Sequence, residues 1–220
     1  MNSAQEGREG RRGRGKRHEI LAAATDRFGR DGYEHTKWAD IAADIGVGAT
    51  ALYHYFESKQ HCLYVIMDET FENFRGRFVA IVADEREPVR ALEAVMGSCF
   101  DLSEHDVLRN RVMVAEQGRL SSSSSSEREE QARQAARSRM RELEFAWASF
   151  LATAMRDGAI PETDPRLLTR AVLGLYNSIW HWYRPNGIIT LPRVAQYYTE
   201  LMVSMIGLPP AAPEQERLAA

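Results

Sequence analysis

Two short helical stretches divided by a glycine constrain this chain more than any other feature. From Thr36 the sequence reads TKWADIAADIG, with Trp38, Ile41, Ala42 and Ile45 at i, i+3, i+4 and i+7. Thr36 is the expected N-cap, and Gly46 stops the helix after about two turns. A second stretch, GVGATALYHYF, predicts a short helix from near Gly48 to about Phe56. Isolated helices shorter than about 12–15 residues are marginal in water. These two therefore need a partner, and the helix predicted over 16–31 supplies one: Ile20, Leu21, Ala24 and Phe28 share a face and Gly32 follows. Two short helices joined by a tight turn make a helix-turn-helix candidate, whose second helix enters the major groove. An ordinary small helical bundle fits the same periodicity.

Tyr53, His54, Tyr55 and Phe56 follow one another, and one helix face cannot bury all four. The spacing assigns Val47, Leu52 and Phe56 to the core. Tyr53, His54 and Tyr55 are left outside, where phenol and imidazole groups can bond phosphates. The small residues Gly48, Ala49, Thr50 and Ala51 let backbone approach a base edge. Lys59 lies one turn on, placed for another phosphate.

The rest reads helical, with no strand and no internal repeat. Ser58 opens a long helix to about Ala83, and Pro88 begins one to about 104. Another is predicted over 106–119. Ser121–Ser126 is the one low-complexity tract. Ser126 with Glu129 forms a capping box that starts a helix over 126–157, closed by Gly158. Asp164-Pro165 caps a helix to about Tyr183, and the last runs over 192–206. The expected architecture is all-α. It comprises a disordered basic arm at 1–15, a three-helix helix-turn-helix DNA-binding domain at 16–62, a larger helical ligand-binding and dimerisation domain at 63–207, and a disordered tail at 208–220.

Composition excludes several classes. Net charge is −3, so the whole chain does not announce a nucleic-acid binder, but Arg8, Arg11, Arg12, Arg14, Lys16 and Arg17 crowd the N-terminus among glycines. Cys62 and Cys99 are far apart in a pattern that suits neither a disulfide framework nor zinc, and fits a reduced cytoplasmic chain. No apolar run approaches the ~18 residues of a membrane span, and no signal peptide is legible. His54, Glu57 and His61 superficially suggest metal ligands, but Glu57-Ser58 breaks the helix between them and Lys59 is near. His181, between two tryptophans, reads as a hydrogen-bonded structural histidine, with a pocket acid or base as the alternative. With no G-x-S-x-G, P-loop or paired acid-base set, no catalytic residue, cofactor, metal or enzymatic activity is expected.

The segment TKWADIAADIGVGATALYHYFESKQHCL, Thr36 to Leu63, resembles the DNA-binding region of the TetR family of bacterial transcriptional regulators. The matching positions are Ile41-Ala42, Gly46-Val47, Leu52-Tyr53, Tyr55-Phe56 and Ser58-Lys59 with Leu63 behind, preceded by a helix ending FGRDGY. The resemblance implies a cytoplasmic homodimer on a pseudo-palindromic operator, with recognition helices in major grooves roughly 34–36 Å apart. Carried over by position, Thr36 and Lys37 hold phosphates, Ala49, Thr50 and Ala51 face bases beside Gly48, and Tyr53, Tyr55 and Lys59 grip phosphates. His54 stands between solvent and phosphate. Many relatives carry Ser or Thr at the place of Ala51 and a longer side chain near Ala49. Direct readout should be thin here, and the arm with Arg12 and Arg14 is expected to compensate, reaching the adjacent minor groove.

A second stretch, LGLYNSIWHWYRPNG from Leu173 to Gly187, resembles a TetR subgroup that includes fatty-acid- and steroid-degradation repressors released from DNA by acyl-CoA thioesters. Trp180 and Asn177, one turn apart, become candidate pocket residues with Met96, Phe100, Met113, Trp147, Phe150 and Leu151; such Met and aromatic stripes also serve as plain core. Trp182, Tyr183, Tyr197, Leu201 and Met205 become dimer-interface candidates. Arg109, Arg111, Arg119, Arg133 and Arg137 are the cations available for CoA phosphates. The expected function is a repressor released by a small-molecule effector, an acyl-CoA thioester. Its alternatives are a multidrug- or antibiotic-sensing repressor of an efflux gene, and a helical ligand sensor acting through protein partners.

Overall fold

The computed structural model describes residues 3–124 and 126–207, with side chains from Gly15 onward. The tail expected at 208–220 and the side chains of Arg12 and Arg14 lie outside the described residues. Every regular element described is helical: α1 (Ser3–Asp31), α2 (Trp38–Asp44), α3 (Ala49–Leu52), α4 (Lys59–Asp84), α5 (Pro88–Phe100), α6 (Glu104–Glu116), a 3₁₀ turn (Gln117–Ser121), α7 (Glu127–Arg156), α8 (Pro165–Trp182) and α9 (Leu191–Ile206). No described helix is long and apolar enough to cross a membrane.

The described chain divides into two compact units. The first holds residues up to Thr70 and Ser103–Ser138; the second holds Phe71–Leu102 and the chain from Arg139. The first unit is thus larger than the 16–62 segment expected to bind DNA.

In the first unit α1 buries Ile20, Leu21, Ala24 and Phe28. It begins at Ser3, so the backbone of the segment expected as a disordered arm is helical. No proline interrupts it, and its Arg, Glu and Gln residues are good helix formers, although each glycine costs about 1 kcal/mol. At its other end Gly32 takes a left-handed φ of +88°, reversing the chain into the α1–α2 turn. The N-cap of α2 is Lys37, one residue after the expected Thr36. The Thr36 hydroxyl instead donates to the Gly32 carbonyl at 2.9 Å. Gly46 ends α2 at φ +65°; Gly46 N–H donates to Ala43 O and Val47 N–H to Ala42 O, the paired bonds of a Schellman stop.

α3 is shorter than expected. Tyr53, His54 and Tyr55 N–H groups donate three residues back, to Thr50, Ala51 and Leu52 carbonyls, so the segment tightens after Leu52. Leu52 and Phe56 are fully buried and anchor it, each side chain contributing about 1.5–3 kcal/mol by burial. Close packing of α1 on α6 is set by Gly29, where an added Cβ would lie 2.6 Å from Leu108 Cβ.

The second unit is a helical core with legible punctuation. Glu87 caps α5 and Asp164 caps α8, each accepting from two backbone N–H groups ahead of a first-turn proline. Gly158 at φ +72° closes α7. Ala91, Leu92, Val95 and Met96 of α5, Leu151 of α7, Ile179 and Trp180 of α8 and Met202 of α9 are buried together as its core residues.

Candidate nucleic-acid interface

The sequence dictates a two-sided α2–α3 segment. Ile41, Ala42, Leu52 and Phe56 go inside, while Val47, expected in the core, is only half-buried; Lys37, Gly48, Ala49, Thr50, Tyr53 and His54 remain exposed, with Ala51 and Tyr55 half-buried. Tyr53, at 53% exposure, meets Trp38 edge-on at 6.4 Å between ring centroids, so a large aromatic from α2 backs its phenol. The Trp38 indole N–H is buried without a hydrogen-bond partner among the described residues.

The segment is braced from α1. Arg27 forks onto Asp44 at the end of α2, at 2.6 and 2.7 Å. Lys16 Nζ donates to the Ile45 carbonyl at 3.3 Å, adding a cation at the C-terminus of α2. Arg17 bonds Glu69 at 2.9 Å and lies 5.4 Å from the centre of the Phe56 ring. These contacts tie α1 to α2, to Phe56 just after α3 and to the body of α4.

Two residues expected to hold phosphates are used inside the unit. Thr36 is buried with its hydroxyl turned back on Gly32. Lys59 donates to the Tyr33 carbonyl at 2.7 Å and the Thr36 carbonyl at 3.0 Å, with its ammonium 4.2 Å from the Tyr33 ring centre. Burial draws its pKa below the usual lysine range. The physical reason is local: the α1–α2 turn leaves these carbonyls outside any helix, and the first residue of α4 is close enough to satisfy both.

His61 lies in the first turn of α4, and no group of metal-ligating side chains occurs among the described residues. It is buried, edge-on to Phe56 at 5.7 Å, with Nδ1 accepting from Glu57 N–H at 3.3 Å. Burial lowers its pKa, with Arg128 and Arg17 adding to the effect and Glu57 and Glu129 opposing it. An unfolded histidine takes up its proton near pH 6.5, the folded one only at lower pH. The stability conferred by neutral His61 is therefore complete above about pH 6.5 and lost as pH falls below it. Between pH 7 and 5.5 the thermal midpoint of the native protein is expected to fall further than that of His61→Gln; equal falls would contradict this.

The candidate ligand residues separate between the units. Met113 belongs to the first, where it is buried; the others belong to the second. There Trp180 packs against Phe100 at 6.3 Å, Tyr176 at 5.5 Å and Tyr183 at 6.1 Å. Trp147 packs against Phe78 at 4.6 Å and Phe150 at 6.5 Å. Met96 and Leu151 are buried, and Asn177 is half-buried. Trp180 Nε1 is buried with no hydrogen-bond partner among the described residues. Sequence reasoning missed Tyr176 and Phe78. Both were signalled by helical spacing, four residues before Trp180 and four after Phe74.

The arginines considered for CoA phosphates all fall in the first unit. Arg109 meets Asp106 at 3.3 Å, Arg119 bonds Glu116 and Glu34, and Arg133 is buried against Glu130 and the Leu120 carbonyl. Arg111 and Arg137 also interact within the chain. Of the dimer-face candidates, Tyr183 is only 4% exposed, tucked against Trp180 and Trp182, and presents no outer surface. Trp182, Tyr197, Leu201 and Met205 remain exposed.

Comparison with known proteins locates the family. Residues 20–64 match the description "Bacterial regulatory proteins, tetR family", and residues 105–206 match "Tetracyclin repressor-like, C-terminal domain". The HTH-type transcriptional repressor KstR2 of Mycolicibacterium smegmatis is 25% identical over 192 residues, covering 87% of this chain and 90% of that protein. The structure of the ketosteroid transcriptional regulator KstR2 of Mycobacterium tuberculosis is 26% identical, covers 88% of this chain and 96% of that one, and superposes with a TM-score of 0.69. AibR, solved with isovaleryl coenzyme A and operator DNA, shares the fold at 22% identity and a TM-score of 0.67, over 84% of this chain and 97% of its own. These relatives are regulators rather than enzymes. With both family regions matched in order, the helix-turn-helix in the first and α6–α9 in the second, the chain belongs to the TetR family of bacterial transcriptional regulators.

Proposed function

We propose that this regulator represses transcription as a homodimer on a pseudo-palindromic operator and is released by a small-molecule effector, an acyl-CoA thioester of lipid or steroid catabolism. The carrying observation is the exposed set Lys37, Gly48, Ala49, Thr50, Tyr53 and His54, held over a core that fixes its backbone. Lys37, Tyr53, His54 and half-buried Tyr55 meet phosphates. Thr50 supplies the one hydroxyl for a base edge, with methyl contacts from Ala49 and Ala51 to thymine. Repression is supported by the likeness to KstR2 along most of both chains.

The homodimer is supported by α9, where Tyr197, Leu201 and Met205 stand at i, i+4 and i+8 on the surface, beside exposed Trp182 at the end of α8. An apolar stripe of this kind suits an isologous contact about a two-fold axis. The effector reading is supported by Trp180: a buried donor left unpaired costs about 1–3 kcal/mol, which a ligand carbonyl offsets. The ketosteroid role named for KstR2 favours a lipid-derived acyl chain against the aromatic cluster around Trp180.

Thin readout at α3 leaves a share of affinity to Arg8, Arg11, Arg12 and Arg14. Deleting residues 2–15 is expected to weaken operator binding and to lower the slope of log affinity against log salt by roughly 2–4, at about 0.9 per phosphate contact. Unchanged affinity and slope would sink this role.

A gel shift with the DNA upstream of the protein's own gene tests the reading. A sharp shift that survives excess non-specific DNA and is reversed by acyl-CoAs supports it. Reversal by drug-like cations alone favours the efflux-gene reading, and no specific shift favours a sensor acting through protein partners.

A further inference from the structure

None of the residues proposed for DNA or effector lies in the serine run, yet residues at and beside its two ends are held against the two turns that flank α2 and α3. At one end is Arg119. Its guanidinium bonds Glu34 of the α1–α2 turn and Glu116, and lies 4.4 Å from the centre of the Tyr33 ring. The Tyr64 hydroxyl donates to the Arg119 carbonyl at 3.3 Å, tying the same point to α4.

At the other end two helix N-termini cap each other. Ser58 caps α4, accepting from His61 N–H at 2.9 Å, and donates its own hydroxyl to Glu129 in the first turn of α7. Ser126 caps α7, accepting from Glu129 N–H at 3.1 Å, and donates its hydroxyl to Glu57, just ahead of α4. Glu57 also accepts from Glu129 N–H at 3.2 Å. Each capping serine is thus bound to the carboxylate of the opposite helix start, where the helix dipoles favour negative charge. The expected capping box is only half formed, because Glu129 is turned to Ser58 instead of to Ser126 N–H. Between the two ends the tract is pinned to α7. Arg133 donates to the Leu120 carbonyl at 2.6 Å, and Glu130 accepts from Ser124 N–H at 3.2 Å.

We infer that the contacts of Arg119, Ser126 and Glu129 make a positioning strap for the recognition segment. Its role is to hold the turn before α2 and the turn after α3 so that Lys37, Thr50 and Tyr53 are offered at one fixed angle. Glu57 and Ser58 follow the buried Phe56 anchor directly, so movement at the reciprocal caps is passed to α3 through only a few backbone bonds. All of these contacts lie within the first compact unit. The inference rests on the DNA-binding reading for its consequence but not for its geometry.

The test has two arms. One follows binding to the upstream DNA fragment by fluorescence anisotropy; the other follows native-state hydrogen exchange of amides 47–61 without DNA. Ser126→Ala is expected to bind about tenfold more weakly, the scale of one lost hydroxyl–carboxylate bond, and to exchange faster across 47–61. Ser126→Thr, which keeps the hydroxyl, should restore both. Glu57→Gln, which keeps the shape and an acceptor oxygen but loses the charge, is read in the same two ways, so the test survives if Ser126→Ala fails to fold. Variants with native exchange across 47–61 overturn the strap, whatever the DNA result. A native protein that ignores the fragment overturns the DNA-binding reading instead, and the exchange arm still decides the strap.

Discussion

Leu201→Asp is expected to leave a folded monomer and to weaken operator binding by roughly a hundredfold or more. Leu201 sits between Tyr197 and Met205 on the exposed stripe of α9. In the proposed homodimer a carboxylate within that apolar stripe is desolvated without a partner, on the scale of interface hot spots of about 2–4 kcal/mol. In the proposed homodimer, losing the partner also removes half of the proposed phosphate contacts. Sedimentation and fluorescence anisotropy read the two effects separately. Ile188 is the control: it is fully exposed, lies in the turn after α8 and is outside that stripe. Ile188→Asp should change neither quantity. A dimeric Leu201→Asp protein with native affinity would contradict the assigned face.

The second large effect is on stability. Gly29 lies inside α1 with an ordinary helical φ, so its absence of a side chain matters for space and not for backbone freedom. A Cβ there would stand 2.6 Å from Leu108 Cβ and 3.0 Å from Leu108 Cα. Part of the clash is with backbone, which cannot rotate away. Alanine favours helix over glycine by about 1 kcal/mol, yet Gly29→Ala is expected to destabilise by about 1–3 kcal/mol because α1 and α6 must separate. The thermal midpoint should drop by several degrees, and Gly29→Leu should drop it further. A raised or unchanged midpoint for Gly29→Ala would show that α1 can slide past Leu108 without loss. The His105–Asp26 contact at 2.7 Å, across the same pair of helices, should loosen with it.

Much of this was legible because the signals were local. Gly46 and Gly158 stop helices at left-handed positions, Asp164-Pro165 and Pro88 start them, and the spacing of Leu52 and Phe56 assigns both to the core. What escaped was set by partners distant in sequence. Lys59 reads as a phosphate-facing cation, but its carbonyl acceptors belong to Tyr33 and Thr36. Tyr183 reads as interface, but Trp180 and Trp182 enclose it. The capping box at Ser126 was visible, but the capture of Glu129 by Ser58 depends on two helix starts meeting. The shortness of α3 has a similar origin: the buried Phe56 fixes where the chain must return to the core, and the turns before it tighten to i→i−3 bonds to reach that point.

The central claim is that two copies of the α2–α3 segment read one symmetric site. Footprinting of the protein on the DNA upstream of its own gene tests this most directly. The account predicts protection of two inverted half-sites whose centres are about one helical turn, roughly 34–36 Å, apart or a multiple of that distance, lost together in Leu201→Asp. Protection without two-fold symmetry, or none in the presence of non-specific competitor, would contradict it.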